Sequence, residues 1–216
     1  MDELCDKQHR QCVRDRLHAE IVRRVLDGRY PPGTHLKELV LAREFGCSQA
    51  PVREALRELE MLGLVVSERY CGTRVLPIAS ADLREAYEFK AIIEERSAQL
   101  ATACRPADLD ALADNVAVMT AAAARAEAES YSAAAIAFHR RIVAMSGNKQ
   151  FLRAWEAMHW EVRTRIAAER HLAQLPNGAV AHGQILAALR AGDGAEAGRL
   201  LRALIEDFLR WLKEHP

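Results

Sequence analysis

Between residues 10 and 27, Val13, Leu17, Ile21 and Val25 recur at steps of four and form one apolar stripe, which predicts an amphipathic helix. Gly28 ends it, and the run R-Y-P-P-G-T predicts a turn. A short helix is expected over 37–45, stopping at Gly46, and a third over 49–62 with Ser48 at its N-cap. Pro51 falls in the first turn of that helix, where backbone N–H groups lack intrahelical partners anyway. On this third helix Val52, Ala55, Leu56, Leu59 and Leu62 share the apolar side, while Gln49, Arg53 and Arg57 recur at i, i+4 and i+8 on the other. Two short β-branched runs, 64–67 and 73–76, flank R-Y-C-G and read as a hairpin.

Near residue 78 the texture changes. Glycine and proline are frequent before it; after it the chain is rich in alanine, with long helical patterns. Six helices are expected, over roughly 80–104, 107–128, 131–146, 148–171, 178–191 and 194–213, separated by Pro106, Gly147, Pro176 with Gly178, and Gly192 with Gly194. The fold class is therefore mainly α: a module of three helices and a hairpin over 1–78, with a disordered start over 1–9, then an all-α bundle over 79–216.

Composition narrows the function. Half the residues are apolar and 28% charged, the balance of a globular chain, and 30 basic side chains cancel 30 acidic ones. Residues 16–78 hold ten Lys and Arg against eight Asp and Glu, a net of +2 and a faint electrostatic footprint for nucleic acid. No apolar stretch approaches the ~18–20 residues of a membrane span, and the polar start (MDELCDKQHRQC) lacks a signal-peptide core. Five scattered cysteines, 5, 12, 47, 71 and 104, never in C-x-x-C spacing, imply neither a disulfide framework nor a zinc–thiolate site, and suit a reducing cytoplasm.

Helix, tight turn, helix and hairpin make the plan of a winged helix-turn-helix. On the third helix an arginine can pair bidentately with guanine and a glutamine with adenine, and Ser48 with first-turn N–H groups can grip a phosphate. The same positions also suit a solvated lattice of i, i+4 ion pairs, since Arg53 and Arg57 stand among Glu54, Glu58 and Glu60.

The segments I-V-R-R-V-L-D-G-R-Y-P-P-G-T-H-L, L-A-R-E-F-G-C-S, P-V-R-E-A-L-R-E-L-E-M-L-G-L-V and the wing glycine resemble the N-terminal domain of GntR-family bacterial transcription regulators. That resemblance implies that Arg53 reads a base, Ser48 holds the DNA backbone and the Gly72 wing tip approaches the minor groove. Arg69 and Arg74 flank that tip and serve equally as solvated hairpin charges. Gln49, Ala50 and Leu39 stand where many relatives carry arginine, threonine and arginine, so the operator is expected to differ or to bind more weakly.

From residue 80 onward, D-L-R-E-A-Y-E-F-K-A-I-I-E, F-H-R-R-I-V-A-M-S-G-N and H-G-Q-I-L-A-A-L-R-A-G-D resemble the all-helical FCD effector domain of the FadR subgroup. From spacing, His139 and His182 point into a helical core, where a structural hydrogen-bonded histidine is the plain reading. The resemblance implies a divalent metal at four positions, here Ala135, His139, His182 and Leu204. Two of those four cannot ligate, and zinc needs three or four protein ligands, so no metal or other cofactor is expected. Lys90 stands where relatives have an arginine that meets an anionic effector; it is either such a contact or a solvated side chain. The expected ligand is a small organic acid, or a more apolar acyl or aromatic molecule, held by Lys90, His139 and His182. Trp155, Trp160 and Trp211 are expected to pack or to sit at a dimer contact.

The resulting expectation is a cytoplasmic homodimeric regulator, most plainly a repressor, that binds double-stranded operator DNA and answers to that ligand, with no membrane partner. The alternative is a helical enzyme or scaffold that uses His139 and His182, with Glu88 or Glu94 assisting, beside a vestigial DNA-binding module. Against an enzyme, the sequence holds no nucleophile elbow, phosphate-cradling glycine loop or complete metal set.

Overall fold

The structure is a computed structural model and describes residues 2–26, 28–68, 72–76, 81–101, 104–158 and 160–214. It divides into two compact units, Met1–Leu83 and Arg84–His215. The sequence boundary at Pro77–Ser80 lies outside the described residues.

In the first unit, α1 (Asp2–Leu26) packs on α3 (Gln49–Met61), and α2 (Glu38–Glu44) closes the triangle. Leu17 and Ile21 of the expected stripe are essentially inaccessible and Val25 is buried, while Val13 is half-buried. The helix also runs back through the segment expected to be disordered: no glycine or proline between residues 2 and 26 stops it. The wing is a three-stranded antiparallel sheet in the order β1-β3-β2, formed by β1 (His35–Leu36), β2 (Val65–Glu68) and β3 (Gly72–Val75). A two-residue strand leaves no alternation to read, so β1 escapes the sequence pattern.

The second unit is all helical: α4 (Ala81–Leu100, most of it in this unit), α5 (Pro106–Ala124), α6 (Ala128–Met145), α7 (Lys149–Glu156), α8 (Trp160–Arg170), a 3-10 turn (Leu172–Gln174), α9 (Leu175–Arg190) and α10 (Gly194–Glu214). Its core gathers Leu112 and Met119 from α5, Phe138 and Ile142 from α6, Ile185 and Leu189 from α9 and Leu201 from α10.

Two expected boundaries fail for physical reasons. The single helix over 148–171 is two, α7 and α8, although nothing between Glu156 and Trp160 is a glycine or proline. At ~100° per residue, Trp155 and Trp160 would point ~140° apart on a continuous helix. The break lets both bury in one core, with ring centroids 6.1 Å apart. Pro176 and Gly178 fall inside α9 rather than before it: Pro176 occupies the first turn, where its missing N–H is harmless.

Glycine also sets the approach of α10 to α4. A Cβ on Gly198 would stand 2.7 Å from the backbone oxygen of Glu95, which cannot yield as a flexible side-chain tip can. Gly198→Ala is therefore expected to destabilise the protein by ~1–3 kcal/mol, the usual cost of overpacking, despite alanine's better helix propensity. A thermal midpoint at or above that of the unaltered protein would contradict this close packing.

Candidate functional site

The first unit presents a helix face built as the sequence predicts. Pro51, Val52, Ala55, Leu56 and Leu59 of α3 are buried, as is Leu62 after it, so Gln49, Arg53 and Arg57 are left on the exposed side. Ser48 has the extended backbone of an N-cap (φ −76°, ψ 167°), but its side chain makes no capping bond. The hydroxyl is exposed and uncommitted at the helix N-terminus, where partial positive charge and free N–H groups suit an anion.

The solvated lattice within α3 is not what forms. Glu58 pairs with Arg14 of α1 at 3.2 Å, and Glu60 accepts the Ser67 N–H of the wing at 2.7 Å. Arg53 reaches across to Glu38 of α2, its Nη2 at 2.9 Å and its Nε at 3.1 Å from the two carboxylate oxygens. That hydrogen bonding raises the guanidinium pKa further above its ordinary value. The side chain nevertheless stays 53% exposed, so the pair aims the guanidinium without hiding it. Arg57 has no ion-pair partner among the described residues and is exposed.

On the wing, Gly72 is exposed with φ +85°, a left-handed conformation that glycine adopts without strain. Arg74 is half-buried beneath it and ion-paired with Glu68 across the hairpin, which holds it in the wing. Arg69 lies outside the described residues.

In the second unit, Lys90, His139 and His182 are brought together as the sequence expects, but around a residue it placed only in an enzyme's service. Glu94, fully buried on α4, accepts from Lys90 Nζ at 2.5 Å and from the Trp155 indole N–H at 2.7 Å, both through Oε1. Its Oε2 lies 2.7 Å from His139 Nδ1, as a charge contact rather than an aligned hydrogen bond. His139 Nε2 stands 3.2 Å from His182 Nε2, and His182 Nδ1 stands 2.6 Å from the Gly178 carbonyl oxygen. The sequence signal was the i, i+4 spacing of Lys90 and Glu94 on a face that also carries Tyr87 and Ala91. Glu88, the other acid considered, is exposed.

Lys90 is not solvated; it is 3% exposed. Burial lowers its pKa, against the pull of Glu94. Burial also opposes ionisation of Glu94, but the adjoining His139 and Lys90 outweigh it and bring the carboxyl down to about 2. For His139 burial wins over the attraction of Glu94 and lowers the pKa; for His182 burial, with His139 beside it, brings the value to about 3. The array is thus a buried Lys90–Glu94 ion pair with the two imidazoles of His139 and His182 beside it.

Lys90, His139 and His182 line a cavity of about 130 Å³. Ala135, Ala168, Leu204, Ile205 and Phe208 supply much of its apolar wall, with Tyr131 and Tyr87 between. Burial pushes the Tyr131 hydroxyl up to about 12. A Cβ on Gly178 would collide with that oxygen, so any larger residue there requires the Tyr131 side chain to shift. The residues do not fit the divalent metal that the resemblance implies. Ala135 and Leu204 line the cavity without donor atoms, and among the described residues no three His, Cys, Asp or Glu side chains converge to hold an ion.

Comparison with known proteins bears on both units. Residues 13–75 match the model of the "Bacterial regulatory proteins, gntR family" and residues 85–207 that of the FCD domain. The chain is 34% identical over 209 residues to the "Probable D-xylose utilization operon transcriptional repressor" of Paenarthrobacter nicotinovorans, covering 97% of this chain and 92% of that one. It is 27% identical over 144 residues to the "Gluconate operon transcriptional repressor" of Bacillus licheniformis, covering 65% and 58% of the two chains. Among solved structures, a GntR transcriptional regulator from Rhodococcus sp. RHA1 superposes with a TM-score of 0.67 at 23% identity, over 94% of this chain and 98% of that one. Escherichia coli McbR/YncC gives 0.69 at 20% identity, over 94% and 97%; these two speak for the fold. No helix among the described residues is long and apolar enough to cross a membrane. The chain belongs to the GntR family of bacterial transcription regulators, with a winged helix-turn-helix for DNA followed in sequence by an FCD domain; it is a DNA-binding regulator and not an enzyme.

Proposed function

We propose that this regulator is a cytoplasmic repressor that binds a near-palindromic operator as a homodimer and releases it when a small molecule enters the cavity of the helical unit. The observation that carries this reading is the cavity itself: a mostly apolar pocket whose lining includes Lys90, His139 and His182, inside the domain that accompanies the DNA-binding module. The relatives named as repressors of a D-xylose and of a gluconate operon support repression as the direction of control. A ligand that favours one arrangement of the paired domains shifts the population toward it and lowers operator affinity by that preference. A small organic acid would be drawn by the Lys90 ammonium, although Glu94 already matches that charge.

Selection of bound sequences from a random duplex pool, with the full chain, tests the operator half. The expected product is a two-fold motif with half-sites about one helical turn, ~10 bp, apart. A motif without two-fold symmetry would sink the homodimer. In the same selection Gln49→Arg is expected to move the preferred base at one position of each half-site from adenine toward guanine, because glutamine pairs bidentately with adenine and arginine with guanine. An unchanged motif would show that Gln49 reads no base.

A further inference from the structure

The DNA-binding unit leaves two large aliphatic side chains side by side in water: Leu39 is 49% exposed and Val40 55%, both on α2. A lone exposed leucine is common on protein surfaces; what matters is where Leu39 stands. Its neighbour Glu38 holds the Arg53 guanidinium, with Nη2 at 2.9 Å, and Arg53 rises from the exposed face of α3. This part of α2 therefore borders the reading face. Farther along the same helix Glu44 reaches Arg24 of α1 at 2.5 Å. At ~100° per residue Leu39 is turned ~140° from Glu44, away from α1, while Val40 is turned ~160° from Glu38, away from Arg53. Leu41 and Ala42 take the buried side of α2, so Leu39 is not spent on the core.

We propose that Leu39 reads sequence: with α3 docked in the major groove, its side chain packs on the C5-methyl group of a thymine. This rests on that docking and not on the effector cavity. Leucine carries neither donor nor acceptor, so the hydrogen-bonding groups of guanine, cytosine and adenine give it nothing; the thymine methyl is the apolar group that a base edge shows in that groove. A phosphate beside it would lose water without gaining a partner. Contact with a methyl removes apolar surface from water on both sides and needs no angular alignment. That suits a side chain carried on a different helix from the residues that pair with base edges by hydrogen bonds. Gln49 and Leu39 then both favour A·T pairs, beside the guanine that suits Arg53.

The test measures binding of the full chain, by fluorescence anisotropy, to the operator selected from the random duplex pool. The comparison is the same duplex with deoxyuridine for thymine, one position at a time and in both half-sites together. Deoxyuridine keeps the hydrogen-bonding groups of thymine and lacks only the methyl. At one thymine of each half-site the unaltered protein is expected to lose about fifteenfold in affinity, the square of the roughly fourfold that burying one such carbon contributes. Leu39→Ala is expected to bind the two duplexes within about threefold of each other, and Val40→Ala to keep the full preference. The readout is a ratio between two duplexes, so a loss of folded protein does not move it. Equal binding of both duplexes by the unaltered protein would overturn the thymine contact and leave the docking of α3, which Arg53→Ala tests, as it stands. A preference that survives Leu39→Ala would set the methyl against another side chain, such as the exposed Ala50 of α3, and overturn the assignment to Leu39. Loss of the preference in Val40→Ala would overturn it equally.

Discussion

Arg53→Ala is expected to abolish the operator gel shift while the protein melts at nearly its original temperature. The two outcomes follow from one geometry. Arg53 rises from the exposed face of α3 and its only described partner is Glu38, so removing it exposes no core and strands no buried charge. An exposed pair of this kind contributes little to folding. In a complex with DNA the same guanidinium, already oriented by Glu38, can present a planar fork to a guanine edge. Loss of one bidentate base contact weakens binding on the order of tenfold to a hundredfold, and a two-fold operator multiplies that factor by itself. Arg53→Lys is expected to rescue little, because an ammonium keeps the charge and loses the fork. Glu38→Gln is expected to weaken binding more mildly, by freeing the arginine to wander before it docks. The measurement is fluorescence anisotropy of one labelled operator at fixed salt, since phosphate contacts make affinity steeply salt-dependent. Arg53→Ala binding within about threefold of the unaltered protein, well short of the factor for a lost base contact, would remove Arg53 from the reading face.

Both the fold and this face were legible because periodicity reports directly on burial. The stripe Val52, Ala55, Leu56, Leu59 and Leu62 announces which side of α3 is anchored, and the polar residues left over are the exposed ones. What periodicity does not report is partnership between distant elements. Glu38 lies fifteen positions before Arg53, and no local spacing rule joins them. Trp155 and Glu94 are sixty-one apart. The Trp155–Trp160 break likewise has no punctuating residue, because it is driven by two indoles seeking one core rather than by a chain that cannot continue. Gly178 looks like a helix breaker in sequence, yet it is a helical position where the Tyr131 hydroxyl takes the place of a side chain, as the Glu95 carbonyl does at Gly198. Around the cavity the sequence singled out Lys90, His139 and His182. It missed that Glu94 matches the charge of Lys90, because an acid one helical turn from a lysine reads as an ordinary surface pair until burial is known.

Glu94→Ala carries the largest expected stability loss, ~3–5 kcal/mol, the cost of breaking a buried ion pair from one side. It would strand the Lys90 ammonium at 3% exposure and leave the Trp155 indole N–H without its acceptor. Replacing both charges together, as Lys90→Met with Glu94→Leu, is expected to recover much of that loss, because a well-packed apolar pair avoids desolvating two ions. A double variant as unstable as Glu94→Ala would mean that packing, not charge, makes the site fragile. Acid separates the charged members of the cluster. His139 and His182 have pKa values lowered from 6.5 by burial, to about 3 for His182, so below pH 6.5 the unfolded chain takes up protons that the native fold refuses. Stability must then fall as pH drops, by ~1.4 kcal/mol per pH unit for each such histidine. Glu94, held near 2 against an ordinary 4.5, acts in a lower window: its contribution is complete above 4.5 and is lost as pH falls toward 2. Denaturation midpoints measured from pH 7.5 to 5 therefore report the histidines alone, and His182→Phe is expected to flatten the slope by about half. A slope unchanged in that variant would mean that His182 is protonated in the native fold.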